Sequence, residues 1–334
     1  MNHSFVSLIT HSKTLNLNPM ERRTFLKNTA IGGLAFTLPS ISGMAENALV
    51  DKGVPRRKLG RASDELSILG FGSIMLNNNT QEFANENVAR AFNEGINYFD
   101  VAPSYGNAQQ KLGPSLKPYR KDCFLACKTN KRDKVDAQKE LDESLRLLKT
   151  DHFDLYQLHA LTTIEEVEKA FGPNGAMEVL VKAKHDGKVR YLGFSAHSEE
   201  AALLALEKFD FDTILFPINF VCWHTGNFGP KVYEKAKKRN MGILALKSMA
   251  LTRLQDGEEK IFPNCWYRPL MDDETLSMGF RYTLSKDITA AVSPGSTELF
   301  WKGVNIAKRF STITAEENNK LLALAKETEP VFKS

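Results

Sequence analysis

The feature that most restricts the fold of this 334-residue chain is an alternation of short apolar runs with amphipathic helical patterns, running from about Lys58 almost to the C-terminus. Ile68-Leu69-Gly70-Phe71-Gly72 opens the series. Gln81–Asn93 then reads as a helix, with Val88, Ala91 and Phe92 on one face and Gly95 just past its end. Further strands are expected at residues 96–101, 123–128, 155–159, 191–195, 213–218, 242–246 and 290–293. Helical patterns fall between them: Leu141, Leu145 and Leu148 at i, i+4 and i+7; a stretch around Met177, Leu180 and Val181; residues 199–208 and 230–239; and a stretch around Leu276 and Phe280. Thr314-Ala315-Glu316-Glu317 is a capping box that opens a terminal helix. Eight strands, each followed by a helix, imply an α/β protein with a parallel sheet. Eight units imply closure into a (β/α)8 TIM barrel over residues 55–330. The alternative is an open doubly wound sheet, but no Gly-x-Gly-x-x-Gly follows any strand. Residues 59–67 are expected to form a hairpin or plug over the barrel bottom.

The first 45 residues stand apart. Arg22-Arg23-Thr24-Phe25-Leu26-Lys27 is a charged start, Ala30 to Leu38 is a mildly apolar stretch too short to span a bilayer, and Pro39 to Ala45 offers small residues for cleavage. The segment resembles a bacterial twin-arginine signal, with Met20 as its start codon; the other reading is a disordered basic tail. The signal implies handover to the export machinery, a mature protein starting near residue 46, a periplasmic location and no stable membrane insertion after signal removal. A formal charge of +4, with no Lys/Arg run interleaved with aromatics, gives no case for nucleic acid. None of the four cysteines forms a Cys-x-x-Cys pair. Cys123 and Cys127 stand about 13 Å apart along one expected strand, too far to bond, so core thiols are expected.

In such barrels, active sites form at the C-terminal ends of the strands. Asp100, Lys128 and His159 close three successive expected strands, and neighbouring strands lie about 4.8 Å apart. Tyr105 follows on the loop after Asp100. Taken singly, each has an ordinary reading: Asp100 as a loop anchor or helix cap, Lys128 as a solvated strand end, His159 as a core histidine, Tyr105 as a loop aromatic. Together they make a specific device. A phenol is a poor acid at neutral pH, a nearby ammonium favours its phenolate, and a carboxylate holds that ammonium in place. An imidazole can meet the same substrate oxygen, so the group is suited to protonating a carbonyl as hydride reaches its carbon. No His-x-His or carboxylate cluster sits at the strand ends, so no metal is expected.

Asn97-Tyr98-Phe99-Asp100-Val101-Ala102-Pro103-Ser104-Tyr105-Gly106 resembles the aldo-keto reductase signature. Cys127-Lys128-Thr129 and Leu158-His159 fall where that family has its lysine and histidine, and the likeness runs from about Arg57 to Asn305. It implies an NAD(P)H-dependent oxidoreductase that reduces an aldehyde or ketone, or oxidises an alcohol such as a sugar or polyol. Tyr105 would be the general acid/base, Asp100 and Lys128 would tune it, and His159 would orient the carbonyl. A non-catalytic barrel that senses nucleotide or binds a partner is the rival reading. The cofactor, NADP(H) or NAD(H), would lie on the loops after strands seven and eight, Lys247-Ser248-Met249-Ala250 and Ser293-Pro294-Gly295-Ser296. Lys247 would offer charge to the pyrophosphate, Ser195 would bond the nicotinamide amide, and Asn305 matches an adenine-side asparagine.

The pattern also departs from the family. Ala196-His197 replaces an asparagine, Leu215 a glutamine, and Ile218 a stacking tyrosine, with Asn219, Phe220 and Trp223 as candidate substitutes. Ser296-Thr297-Glu298 stands where a cation commonly meets a 2′-phosphate, and Lys302 is the nearest replacement, which leaves NADP against NAD open. Substrate choice is expected to rest on residues 76–80, 221–228 and 255–268, with Trp223 and Trp266. Export out of the cytoplasm implies a cofactor held from folding onward and recycled in place by a second substrate.

Overall fold

Side-chain caps start most of the helices. Thr80 Oγ1 accepts from the Phe83 amide, and Asp133, Ser198 and Asp272 do the same for later helices. The computed structural model describes residues 53–334, so the twin-arginine segment and the cleavage site near residue 46 lie outside the described residues. The chain opens with an antiparallel hairpin, β1 (Arg56–Lys58) and β2 (Glu65–Ser67). Then follow β3 (Leu69–Gly72), α1 (Gln81–Asn93), β4 (Tyr98–Asp100), α2 (Ala108–Leu116), β5 (Phe124–Thr129), α3 (Lys134–Leu148) and β6 (Phe153–Leu161). Two helices, α4 (Ile164–Phe171) and α5 (Ala176–His185), lead to β7 (Val189–Ala196), α6 (Glu199–Lys208) and β8 (Thr213–Pro217). Next come α7 (Phe220–His224), α8 (Pro230–Lys238) and β9 (Gly242–Leu246). A second hairpin, β10 (Ala250–Arg253) and β11 (Tyr267–Pro269), precedes α9 (Asp273–Leu284), β12 (Ala290–Val292), α10 (Thr297–Lys308) and α11 (Ala315–Lys326).

Strands β3 to β9 and β12 pair in parallel and close into a barrel, with β12 beside both β9 and β3. This is the (β/α)8 TIM barrel. The capping box at Thr314 and Glu317 is formed in both directions. Four helices and one hairpin had no clear signal in the sequence. α2 contains Pro114 and reads as a loop, α7 spans only one turn, and α4 and α10 lie close to neighbouring helical patterns. The β10–β11 pairing joins residues about fifteen apart and depends on the barrel mouth beneath it.

The strand period of two sorts the side chains. On β5, Phe124 and Ala126 face the barrel interior while Leu125 and Cys127 face the helices, so Lys128 continues the inward row. Asp100 follows Tyr98 inward on β4, and His159 follows Leu155 and Gln157 on β6. At the opposite end, Leu59 and Leu66 of the hairpin are fully buried against Tyr98, Phe124, Leu155, Leu215 and Leu244, and so plug the bottom. All four cysteines are buried and free. Among the described residues no helix is long and apolar enough to cross a membrane.

Candidate active site

The inward rows of β4 and β5 bring Asp100 and Lys128 into a fully buried ion pair. Lys128 Nζ also donates to the Val101 carbonyl at 3.2 Å, and the Tyr98 hydroxyl donates to Asp100 Oδ2 at 3.3 Å. Burial pulls the Lys128 ammonium down, but Asp100 and Tyr105 outweigh it and hold the group above its ordinary value, so it is charged. The ammonium stands 5.2 Å from the centre of the Tyr105 ring. Burial pushes the Tyr105 phenol up, more than the Lys128 charge draws it down. That corrects the balance expected from sequence: in this structure the site holds a protonated phenol, an acid ready to give its proton, and the ammonium's effect is to ease that loss.

His159 meets Tyr105 edge to face, with ring centres 5.8 Å apart. Its placement depends on a local irregularity. The β6–β7 register slips between Leu158 and Leu161, and Ala160 takes a left-handed φ of 51°. Two bonds hold the kink: the Ala160 amide donates to Ser195 Oγ at 2.7 Å, and Arg132 donates to the His159 carbonyl at 2.6 Å. Burial first, then the charge of Lys128, keeps the imidazole well below its ordinary value, so it is neutral. Its Nδ1 lies 2.7 Å from Asn130 Oδ1 and 3.3 Å from Ser104 Oγ. Neither Asn130 nor Arg132 was singled out from the sequence; only the fold carries them to this strand end.

Asp100, Tyr105 and His159 open on a cavity of about 310 Å³ at the C-terminal end of the barrel. A larger open groove, about 1120 Å³, lies at the other end around Arg120, Asp154 and Arg190 and touches none of the four candidate catalytic residues. Of the expected cofactor residues, Ser195, Lys247, Pro294 and Gly295 line the cavity. Lys247 has a left-handed φ of 64°, and its ammonium stands 4.6 Å and 4.7 Å from the ring centres of Trp266 and Tyr267. No carboxylate among the described residues pairs with it, and burial brings it down to about 8. Ser248 is buried beside it, its hydroxyl without a partner. Leu215 and Leu246 supply an apolar face. An unpaired ammonium, an orphan hydroxyl and a flat apolar wall fit an anionic dinucleotide with a planar ring.

Other expected contacts fall elsewhere. Asn219 is fully buried and caps α7 through the Cys222 amide, while its Nδ2 donates to the Lys247 carbonyl at 3.2 Å; it shapes the loop rather than facing the cavity. Ile218 is buried with its carbonyl accepting from Thr283, so Leu215 and Leu246 take the face expected of it. Trp223 packs on Tyr233 under the Lys286 ammonium, outside the cavity, whereas Trp266 lines it. Ser296 caps α10 through the Leu299 amide, and Asn305 is exposed on that helix. Lys302 lies between Asp273 at 2.8 Å and Glu298 at 3.4 Å. A Cβ on Gly295 would collide with the Asn264 carbonyl, so the glycine makes room for the 254–266 segment as it crosses the mouth. Asn264 Oδ1 also accepts from Asn77 at 3.2 Å, which ties that segment to the far rim. His197 packs on Trp266 and Phe332 in the cavity wall, brought down to about 4 chiefly by burial. Among the described residues no group of three or more His, Cys, Asp or Glu is placed to hold a metal.

A model of the aldo/keto reductase family matches residues 68–325. The chain is similar to the uncharacterized oxidoreductase YqkF of Bacillus subtilis, 30% identical over 42% of this chain and 48% of that protein. It is equally similar to L-galactose dehydrogenase of Arabidopsis thaliana, 30% identical over 42% of this chain and 47% of that one. The chain spans about half the length of the curated relatives it matches. Among solved structures, the holo form of aldo-keto reductase AKR11C1 from Bacillus halodurans superposes with a TM-score of 0.65 at 23% identity, over 83% of this chain and 98% of that one. An aldo/keto reductase from Brucella melitensis gives 0.60 at 18% identity, over 81% and 99%. At such identities the structural likeness concerns the fold.

Proposed function

The chain belongs to the aldo/keto reductase family, and from that premise we propose that it reduces an aldehyde or ketone, or oxidises the matching alcohol, using NAD(P). The observation that carries this reading is the buried Asp100–Lys128 pair set behind Tyr105, with His159 facing Tyr105 across one cavity. A bound nicotinamide dinucleotide supplies or accepts the hydride. Tyr105 then gives its hydroxyl proton to the substrate oxygen, and the Lys128 ammonium stabilises the phenolate left behind. Asp100 keeps that ammonium charged inside the barrel. Ser195 would meet the nicotinamide side, and Lys247, Ser248, Pro294 and Gly295 would meet the phosphates, with Ser296 capping the helix that follows. Glu298 and Asp273, which flank Lys302, favour NAD(H) over NADP(H), because carboxylates repel a 2′-phosphate and accept bonds from ribose hydroxyls.

The test is oxidation of NADH and NADPH with a panel of aldehydes, ketones and sugars. Tyr105→Phe is expected to lower kcat/KM by about 100-fold or more while dinucleotide affinity holds. Unchanged turnover overturns the role of Tyr105 and returns the barrel to a sensing or partner-binding reading. The proposal extends to export: Arg22-Arg23-Thr24-Phe25-Leu26-Lys27 and the apolar stretch after it support passage through the twin-arginine pathway to the periplasm, with the cofactor enclosed beforehand.

A further inference from the structure

We infer that Asn77 is a positioning residue: its side chain clamps the turn that carries Tyr105 and so sets the phenol at proton-transfer distance from the substrate oxygen. Tyr105 lies on the loop between β4 and α2, and that turn closes first upon itself. The Tyr105 amide donates to the Ala102 carbonyl at 3.1 Å, and the Tyr105 carbonyl accepts from the Ala108 amide at 3.1 Å. Bonds within one loop fix the shape of a turn but not its place over the barrel. Place requires a tether to another element. Toward β6, Ser104 Oγ lies 3.3 Å from His159 Nδ1. On the side toward β3, Asn77 and Asn78 meet Asn107. Asn77 Oδ1 accepts from the Asn107 amide at 3.2 Å, and the Asn78 amide donates to Asn107 Oδ1 at 2.9 Å.

A backbone amide only donates, so the oxygen end of the Asn77 side chain is the end that faces Asn107. Its Nδ2 is thereby turned the other way, to Asn264 Oδ1 at 3.2 Å. Asn78 takes a left-handed φ of 61° to bring its own amide round. Gly106, between Tyr105 and Asn107, has a φ of 58°, and a Cβ on it would collide with Asn77 Oδ1. The glycine therefore serves the clamp twice, through its left-handed backbone and through the bare Cα against which the asparagine lies. Neither bond of the clamp reaches substrate or cofactor, so what it contributes is distance. A general acid works within about 2.6–3.2 Å of the oxygen it protonates, and a misplacement of about 1 Å costs about 100-fold. The effect on proton transfer rests on the carbonyl-reductase reading above; the clamp itself does not.

The experiment mixes the full chain, in excess over NADH, with glyceraldehyde and reads hydride transfer in a single turnover. Asn77→Ala should slow that step by about tenfold or more, with NADH affinity and Tm close to wild type. Asn77→Asp keeps the acceptor oxygen and should recover most of the rate. Asn77→Leu, similar in volume but without an acceptor, should not, which separates the hydrogen bond from mere packing. Gly106→Ala should slow the same step. Combined with Asn77→Ala it should be no slower than the slower single variant, because both changes act on one contact. A second readout needs no turnover: ¹³C NMR of tyrosine-labelled protein, with the Tyr105 ring signal assigned by its loss in Tyr105→Phe. That signal should be sharp in the wild-type protein and shifted or broadened in Asn77→Ala. An unchanged rate in Asn77→Ala, additive losses in the double variant, or an unmoved Tyr105 signal overturns the proposal. If the signal moves but the wild-type protein reduces neither glyceraldehyde nor any other member of the carbonyl panel, the carbonyl-reductase reading fails and the clamp stands.

Discussion

Inside the barrel, the Lys128 ammonium has the Asp100 carboxylate as its only counter-charge among the described residues, and it also donates to the Val101 carbonyl. Asp100→Asn leaves that charge uncompensated and is expected to destabilise the fold by about 3–5 kcal/mol in denaturant unfolding. Adding Lys128→Met should recover most of the loss without restoring activity, because the charge goes together with its penalty. Lys247 allows a pH prediction. Its free amine is brought from the usual lysine range down to about 8, so the cation is present below that pH and lost above it. If it meets the pyrophosphate, dinucleotide affinity falls as pH rises through about 8. An ammonium–phosphate bond contributes about 1.5–3 kcal/mol, so the weakening should reach tenfold or more. Fluorescence titrations across that range check this, and Lys247→Met should bind weakly with a flat profile. Asp100, Lys128 and His159 were legible because each ends an apolar run at a position the barrel topology interprets, and Tyr105 because it follows Asp100 on the next loop. Asn130 was not, because an asparagine two residues past Lys128 reads as loop until Glu140 of α3 comes round to meet it.

At the scale of elements, the barrel strands and most outer helices follow from local pattern, since a 2- or 3.6-residue period is written into consecutive side chains. The hairpin under the barrel shows what such an element contributes. Leu66 is fully buried among inward residues of five different strands, so Leu66→Ala should cost about 2–5 kcal/mol. The catalytic end lies at the far side of the barrel, and kcat/KM at a temperature where the variant remains folded should stay close to wild type. Thermal or urea unfolding beside steady-state kinetics separates the two effects. The β10–β11 hairpin and the 254–266 segment were not legible, because what orders them is the rim they cross: Asn264 against Gly295 and Asn77, and Trp266 against His197 and Phe332. Asn219 and Asn305, expected as cofactor contacts, take places the sequence did not show: one side chain caps α7 and the other is exposed on α10.

Considered as a whole molecule, the chain has a closed barrel, and the segment from Arg22 to Ala45, outside the described residues, is the one proposed above as a twin-arginine leader. Arg22→Lys with Arg23→Lys should stop appearance of the protein in the periplasm, read by cell fractionation. Mass spectrometry of the natively purified periplasmic protein should find a nicotinamide dinucleotide released on denaturation; finding none counts against a retained cofactor. The sequence alone determined the eightfold β/α alternation, the closed parallel sheet it implies, and the strand-end positions of Asp100, Lys128 and His159, because these depend on periodicity along the chain. Only the tertiary structure decided that burial keeps Tyr105 protonated, that no carboxylate among the described residues pairs with Lys247, that Lys302 already has two carboxylate partners, and that Asn130 and Glu140 stand behind His159. Those outcomes depend on which distant residues share a desolvated neighbourhood. Electrostatic balance there is set by separation in space and exclusion of water, and neither is carried by the order of residues.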